Sequence, residues 1–276
     1  MSHYRTLTRR LLVTLCFGFL AAVFAQELPE TVDNVEEIGR SVEGRAIVVR
    51  RLGAGSKHVI IVGGIHGGYE ANSILLTREL FEYYAANPEE IPVDLTLHFI
   101  ENMNPDGLYR VTGGVPVEQF DFRSADIVPG RFNANGVDLN RNWDGDWQPT
   151  SFWGTRVVSA GSAPFSEPET QAVRGYFERV APVVSVFYQS AADGLWYSGA
   201  DEAWAPSRTL AEIYSAASGY RLPEPDAGPV AYEITGSADD YFVEIRHRNL
   251  TVELRTRFST EFERNLRGLR AILAAL

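Results

Sequence analysis

The stretch IIVGGIHGGYEANS, residues 60–73, decides the fold. Its apolar start predicts a buried central strand, because an uninterrupted apolar run suits a strand that is covered on both faces. The glycines predict a tight turn, and residues 71–86 then carry apolar side chains at helical spacing. His66 and Glu70 lie four residues apart in the turn, where an imidazole and a carboxylate can reach one metal ion. The stretch therefore predicts a strand–turn–helix unit with candidate metal ligands, although a hydrogen-bonded structural histidine also fits it.

The rest of the chain continues this alternation of strands and helices. Further strands are predicted at 48–51, 94–100, 183–188 and 250–254. Further helices are predicted at 166–180, 207–217 and 260–274, the first of them opened by a capping box, Ser166-Glu-Pro-Glu169. Residues 105–165 are rich in Gly, Asn, Pro and Trp and predict long loops around a site. The alternation predicts an α/β single domain whose largely parallel mixed sheet has helices on both faces, with ligands beyond the carboxyl ends of its strands.

The first 25 residues have the form of a secretory signal peptide. Three arginines precede an apolar run at 11–24, and the run ends in the small-residue pattern Val23-Phe24-Ala25. We expect cleavage after Ala25, which leaves a mature domain at 26–276 in a secreted or periplasmic location. An uncleaved membrane anchor is the alternative, but the apolar run is shorter than the roughly 20 residues of a spanning helix.

Charge and cysteine content exclude several classes of partner. The chain has 25 Lys and Arg against 36 Asp and Glu, a formal net charge of −11. Loss of the three signal arginines leaves 22 against 36, or −14. Such a surface repels nucleic acid and anionic lipid, so we expect no nucleic-acid partner and no stable membrane association after signal cleavage. The single cysteine, Cys16, lies in the signal, so the mature protein carries no disulfide.

A second polar stretch, RFNANGVDLNRNWDGDW at 131–147, is dense in groups that bind anions. Arg131 and Arg141 can each offer a fork of N–H donors to a carboxylate or an oxyanion. Asn140 adds an amide donor, and Asp138 could hold the free ring nitrogen of a metal-bound histidine. A polar turn with ordinary salt bridges is the other interpretation of this stretch.

Five motifs together resemble the zinc metallocarboxypeptidases of the carboxypeptidase A type. They are IGRSVEGRAI (38–47), HGGYE (66–70), NPDG (104–107), GVDLNRNW (136–143) and TVELRT (251–256). They stand in the order of that family and cover nearly all of the mature chain. The resemblance implies a carboxypeptidase A-like fold and a zinc-dependent hydrolase that acts on peptides with a free C-terminus.

The resemblance also implies a role for each matching residue. His66 and Glu70 would be zinc ligands, although three residues separate them here where many relatives have two. Glu253 would be the general base and acid, and Arg131 would polarise the scissile carbonyl. Three further residues would bind substrate: Asn140 and Arg141 at the terminal carboxylate, and Tyr232 as the mobile tyrosine that covers the last residue.

One implied zinc ligand is missing. The family has a third ligand, a histidine at the end of a later strand, and the matching position in SVFYQSAAD (185–193) is Gln189. An amide oxygen is a weak, neutral donor for zinc. Three interpretations stay open: Gln189 is a weak ligand of a working enzyme, a distant histidine such as His98 or His247 completes the site, or the metal is lost.

These interpretations lead to different functions. We expect an exported carboxypeptidase that acts on protein or cell-wall peptides; the alternative is a protein that binds C-terminal carboxylates without hydrolysis. A deacylase of N-acyl amino acids is a further enzyme alternative. Ala238 lies near the expected pocket for the C-terminal side chain of the substrate, and its small size leaves room for a bulky residue. Asp239 or Asp240 could favour a basic C-terminal residue, but either could instead cap a helix.

Overall fold

The computed structural model describes residues 34–197, 205–222 and 232–276. These residues belong to one compact unit, Thr31–Leu276. The predicted signal peptide and its cleavage site after Ala25 lie outside the described residues. No helix in the described ranges is long and apolar enough to cross a membrane.

The described residues form nine strands and six α-helices. The strands are β1 (Asn34–Arg40), β2 (Ala46–Gly53), β3 (Lys57–Val62), β4 (Leu95–Ile100), β5 (Thr150–Trp153), β6 (Arg156–Ser159), β7 (Val184–Ser190), β8 (Gly194–Tyr197) and β9 (Asn249–Leu254). The helices are α1 (Ala71–Ala86), α2 (Pro105–Thr112), α3 (Pro168–Val180), α4 (Ala205–Ser218), α5 (Ala238–Glu244) and α6 (Phe262–Leu273).

Seven strands form one mixed sheet in the order β1-β2-β4-β3-β7-β9-β8. The four central strands β4, β3, β7 and β9 are parallel, and β1, β2 and β8 join the edges antiparallel. The sheet has a hydrophobic core on each face. Helices α1, α4 and α6 pack on one face, and α3 and α5 pack on the other. The predicted α/β fold with a largely parallel, doubly covered sheet is confirmed.

Some elements differ from the sequence-based predictions. The structure adds β1 and β8 at the sheet edges, where an exposed or short strand lacks the apolar run that marks a central one. The region 105–165, predicted as long loops, also contains α2 and the two-stranded hairpin β5–β6.

The predicted capping box at Ser166 is wrong. Helix α3 begins at Pro168, and its N-cap residue Glu167 makes no side-chain capping bond. The Glu169 carboxylate, which the prediction assigned to the cap, instead accepts hydrogen bonds from the Val42 backbone and from Asn133. Long-range partners therefore replace the local cap.

Asp106 explains why two of the family motifs occur together. It lies in the NPDG turn at the start of α2, and its carboxylate accepts a 2.6 Å bond from the Ser41 hydroxyl and a 2.7 Å bond from Arg45. The Glu43 backbone N–H donates to its other oxygen at 2.9 Å. The motif IGRSVEGRAI therefore folds over a buried carboxylate, and both motifs serve to position the chain around the site.

His98 forms a buried polar chain across the sheet, away from the polar loops. Its Nε2 lies 3.0 Å from His58 Nδ1, and its Nδ1 lies 2.7 Å from the Tyr176 hydroxyl. Burial, and next the charges of His58 and Arg51, lower the pKa of His98 to about 3. His98 is therefore neutral in the folded protein under mild acid, while an unfolded histidine gains a proton below about pH 6.5.

We expect the free energy of unfolding to fall as the pH drops from 6.5 towards 3, because the unfolded state binds the His98 proton first. The variant His98→Gln keeps polar atoms for both neighbours but removes this proton. Its stability should depend on pH less steeply, by up to about 1.4 kcal/mol per pH unit. Denaturant titrations of both proteins between pH 7.5 and 4.5 measure this. Parallel slopes throughout would show that His98 is charged in the folded state.

Candidate active site

The polar residues of the predicted site gather beyond the carboxyl ends of β3, β7 and β9. His66 follows β3, and Gln189 on β7 lies opposite Glu253 on β9 in the parallel register. Gly67 has a φ of 44°, and a Cβ on it would meet backbone atoms of residues 104, 108 and 130 within 3 Å. Only glycine therefore lets the His66 turn approach these loops so closely.

His66 is held between two carboxylates. Its Nδ1 lies 2.9 Å from Glu70 Oε1, and its Nε2 lies 3.2 Å from Asp138 Oδ1. Arg131 binds the other Asp138 oxygen through Nε at 2.8 Å, and its NH1 lies 3.9 Å from Glu70. All four side chains are buried. The structure thus brings His66, Glu70, Asp138 and Arg131 into one buried cluster, in which each carboxylate contacts both the imidazole and the guanidinium.

Asp138 is ionised within this cluster. Burial alone would raise the pKa of its carboxyl, but the charges of Arg131 and His66 outweigh burial and hold the pKa well below its usual range. Asp138 also accepts the Asn140 backbone N–H at 3.1 Å. The negative charge of Asp138 lies at Nε2 of His66, and Nδ1 is the nitrogen that faces Glu70.

Glu253 has the opposite character. Its Oε2 is buried and has no hydrogen-bond partner among the residues that the structure describes. Burial, and next the Glu70 carboxylate, raise the pKa of Glu253 to about 8, although Arg131 and Arg257 act in the other direction. A carboxyl whose pKa lies near neutrality can both accept and return a proton.

Gln189 is already engaged inside the protein. Its Oε1 accepts a 3.3 Å bond from Asn140 Nδ2, and Asn140 Oδ1 accepts the Ala238 backbone N–H at 3.1 Å. Neither His98 nor His247 reaches the site. His98 lies in its chain with His58 and Tyr176, and His247 contacts Ser185 at the opposite end of β7. Completion of the site by His98 or His247 is therefore excluded.

The donor chemistry fits one zinc ion through two strong ligands. His66 offers Nδ1, and the second Glu70 oxygen, Oε2, is buried without a partner. A cation stabilises such an unpaired carboxylate oxygen. The third donor, Gln189, is a weak neutral amide. Across the described ranges no three His, Cys, Asp or Glu side chains form a metal-binding group, so the donor set has one weak member.

Arg141 lies under the hairpin β5–β6. Its Nε and NH2 both donate to the Phe152 carbonyl, at 3.1 and 2.9 Å, and its NH1 donates to the Asn140 carbonyl at 2.6 Å. The residue is only 2% exposed. A guanidinium has five N–H donors, so two remain for a ligand.

The hairpin also brings an aromatic residue, Trp153, to the cleft. Its ring lies 4.6 Å from the Arg131 guanidinium carbon and 5.1 Å from the Tyr69 ring. On Tyr69 lies a second guanidinium, that of Arg257, 4.3 Å from the ring centre. The sequence motifs assign no role to these aromatic residues or to Arg257. The available signals are the position of Tyr69 inside HGGYE and of Arg257 four residues after Glu253.

The segment 232–240 forms the remaining side of the cleft. Burial raises the pKa of Tyr69 and lowers that of Arg141, and the Tyr232 phenol is close enough to act electrostatically on both. Asp240 forms a capping box with Ser237 at the start of α5: the Asp240 backbone N–H donates to the Ser237 hydroxyl, and the Ser237 backbone N–H donates to the Asp240 carboxylate, each at 3.1 Å. Asp239 accepts bonds from Asn249 and Thr251 on β9, and burial raises its pKa to about 6. Of the two acids, Asp240 caps the helix.

Comparison with known proteins agrees with this architecture. A model of the zinc carboxypeptidase family matches residues 20–265. Carboxypeptidase B of Astacus astacus is 26% identical over 236 residues, which cover 79% of this chain and 76% of that protein. Carboxypeptidase E of Caenorhabditis elegans is 32% identical over 131 residues, 43% of this chain and 26% of that protein.

Solved structures share the fold at lower identity. Bovine thrombin-activatable fibrinolysis inhibitor, in complex with tick carboxypeptidase inhibitor, superposes with a TM-score of 0.65 at 17% identity, covering 88% of this chain and 87% of that chain. The murein-tripeptide amidase of Escherichia coli O157 gives 0.58 at 21% identity, covering 88% and 91%. With a family model that matches most of its length, the chain belongs to the zinc carboxypeptidase family.

Proposed function

We propose that this protein is an exported zinc-dependent carboxypeptidase that removes the last residue from peptides with a free C-terminus. One observation carries the proposal. Two buried carboxylate oxygens, Glu70 Oε2 and Glu253 Oε2, have no hydrogen-bond partner among the described residues, and the Glu70 carboxylate also contacts the imidazole that Asp138 holds in place. Unpaired buried carboxylates are costly, and a site for a metal and a reacting proton gives them partners.

Each residue of the site has a separate role in the proposed reaction. His66, Glu70 and, weakly, Gln189 would hold zinc, which supplies an activated water when bound. Glu253 would accept a proton from the attacking water and return it to the leaving amine, a contribution of about 10²–10⁴ in rate. Arg131, fixed by Asp138, directs its remaining donors at the oxygen of the scissile carbonyl.

Arg141 and Asn140 would receive the terminal carboxylate. The two N–H donors of Arg141 that make no hydrogen bond to the described residues suit a carboxylate, and Tyr232 would cover the bound residue. The murein-tripeptide amidase among the structural neighbours makes cell-wall peptides a substrate class to be tested beside ordinary peptides.

We expect the protein to release the last amino acid from free peptides and not from the same peptides with an amidated C-terminus. In Arg141→Ala, kcat/KM for free peptides should fall by about tenfold or more, because a charge-assisted pair is lost. Amino-acid analysis with and without added Zn²⁺ measures both expectations, and N-acyl amino acids test the deacylase alternative. If Arg141→Ala lowers kcat/KM by the same factor for free peptides and for any amidated peptide that is cleaved, Arg141 does not bind the terminal carboxylate.

A second candidate is a protein that binds C-terminal carboxylates without cleaving them. The engagement of the Gln189 oxygen by Asn140 favours it, because that bond competes with a metal. Binding of free peptides with no release of amino acids at saturating Zn²⁺ would support this candidate over the enzyme.

A further inference from the structure

Arg257 is a guanidinium at the cleft whose polar atoms lack a partner. Its Nε is buried and makes no hydrogen bond within the described part of the chain. Arg131 is bound to Asp138, and Arg141 is bound to two backbone carbonyls. For Arg257, by contrast, no ion pair or hydrogen bond to another described residue is formed. Burying part of a charged group without a partner is costly, which is typical of a group that receives a ligand.

Its neighbours hold Arg257 in place without satisfying its donors. The guanidinium lies on the Tyr69 ring, 4.3 Å from its centre, and such stacking orients a guanidinium while its N–H edges stay free. Arg257 is also near enough to Glu253 to counteract part of the rise in the pKa of that carboxyl. It therefore borders the reacting centre.

The contacts along the cleft show where Arg257 lies relative to Arg141. From Arg141 they run through the Phe152 carbonyl and Trp153 to Tyr69, and they end at Arg257. Arg131 lies between the two ends, 5.6 Å from the Tyr69 ring. With the terminal carboxylate at Arg141 and the scissile carbonyl at Arg131, the peptide on the N-terminal side of the scissile bond extends towards Arg257.

We propose that Arg257 binds a carboxylate carried by the residue on the N-terminal side of the scissile bond, which makes this residue a determinant of specificity for acidic substrates. The proposal rests on the proposed function, which sets the direction of the peptide. A planar guanidinium binds a carboxylate through two parallel hydrogen bonds, more strongly than it binds a neutral carbonyl. The chain as a whole has a net charge of −11, so an acidic peptide needs such a local cation.

The carboxylate can come from two sources. One is the side chain of an α-linked glutamate, and the other is the free α-carboxylate of a γ-linked glutamate. The test uses two matched pairs of tripeptides, α-linked Glu against Gln and γ-linked Glu against its α-amide, each before the same C-terminal residue. The pair with the larger charge preference identifies the source.

The test measures kcat/KM for cleavage and, by calorimetry, Kd for each peptide bound to the zinc-free protein, where nothing is cleaved. We expect wild type to prefer the acidic member of at least one pair by about tenfold or more. Arg257→Gln should remove the preference, and Arg257→Lys should restore part of it. The control Arg255→Gln should keep it, because Arg255 is 65% exposed and faces Asp193 and Glu261.

The outcomes separate this inference from the proposed function. A charge preference in Kd that disappears in Arg257→Gln supports the inference even if no peptide is cleaved, a result that would overturn only the proposed hydrolysis. Cleavage with the same ratio of acidic to neutral substrate in wild type and Arg257→Gln, in both pairs of peptides, overturns the inference and leaves the proposed function intact. An equal loss of preference in Arg255→Gln also overturns it, because a general change of surface charge would then be sufficient.

Discussion

Replacing Gln189 by histidine is expected to raise the affinity for zinc by about 100-fold or more. The expectation follows from the donors at the site, where His66 and Glu70 are strong ligands and the Gln189 oxygen is a weak one. Even residues that only support a ligand alter metal affinity by about 10–100-fold, so a new imidazole ligand should do at least as much.

The position is suited to the exchange. Gln189 is 3% exposed, lies at the carboxyl end of β7 and has Glu253 beside it in the register. The substitution also releases Asn140 from the Gln189 oxygen, so the bond that competes with a metal disappears. The Ala238 backbone N–H still holds the Asn140 side chain.

Zinc content after dialysis, followed by titration against a competing chelator, measures the effect. Gln189→Ala is the matched control, since it removes the amide without adding a ligand, and it should bind zinc no better than wild type. A wild-type protein that keeps one zinc per chain against the chelator would contradict the expectation and would make Gln189 an adequate ligand.

The fold was predictable from the sequence because the central strands are apolar on both faces. The run at 58–62 and the strands near 183–188 and 250–254 need no long-range information. Edge strand β1, NVEEIGR, carries charges that an apolar pattern does not detect. The box predicted at Ser166 failed because Glu169 has partners, Val42 and Asn133, that are distant in sequence.

The candidate site was predictable as a set of residues but not as a set of contacts. The motifs name His66, Glu70 and Asp138, and the structure places them side by side. Motifs do not show that the Phe152 carbonyl accepts hydrogen bonds from two of the Arg141 N–H groups. That contact joins a buried side chain to a backbone atom of a hairpin, and any residue at position 152 supplies the same carbonyl.

Glu253→Gln is expected to lower kcat by about 10²–10⁴ while peptide binding persists, because the amide cannot take up or return a proton. Glutamine has nearly the same shape, so it keeps the packing at the end of β9. It also removes a carboxyl whose pKa burial and Glu70 raise to about 8. The effect should therefore appear in kcat, with little change in Kd for a peptide.

Single-turnover rates with zinc-loaded protein measure the chemical step, and calorimetry on the zinc-free protein measures binding. Glu261→Gln is the control, since Glu261 is likewise a partly buried carboxylate but lies at the start of α6, where it accepts a hydrogen bond from the Tyr220 hydroxyl. If Glu253→Gln cleaves peptides at the wild-type rate, Glu253 is not the proton carrier. If binding is lost together with the rate, the buried Glu253 oxygen instead serves to hold the substrate, and its missing partner is a group on the peptide.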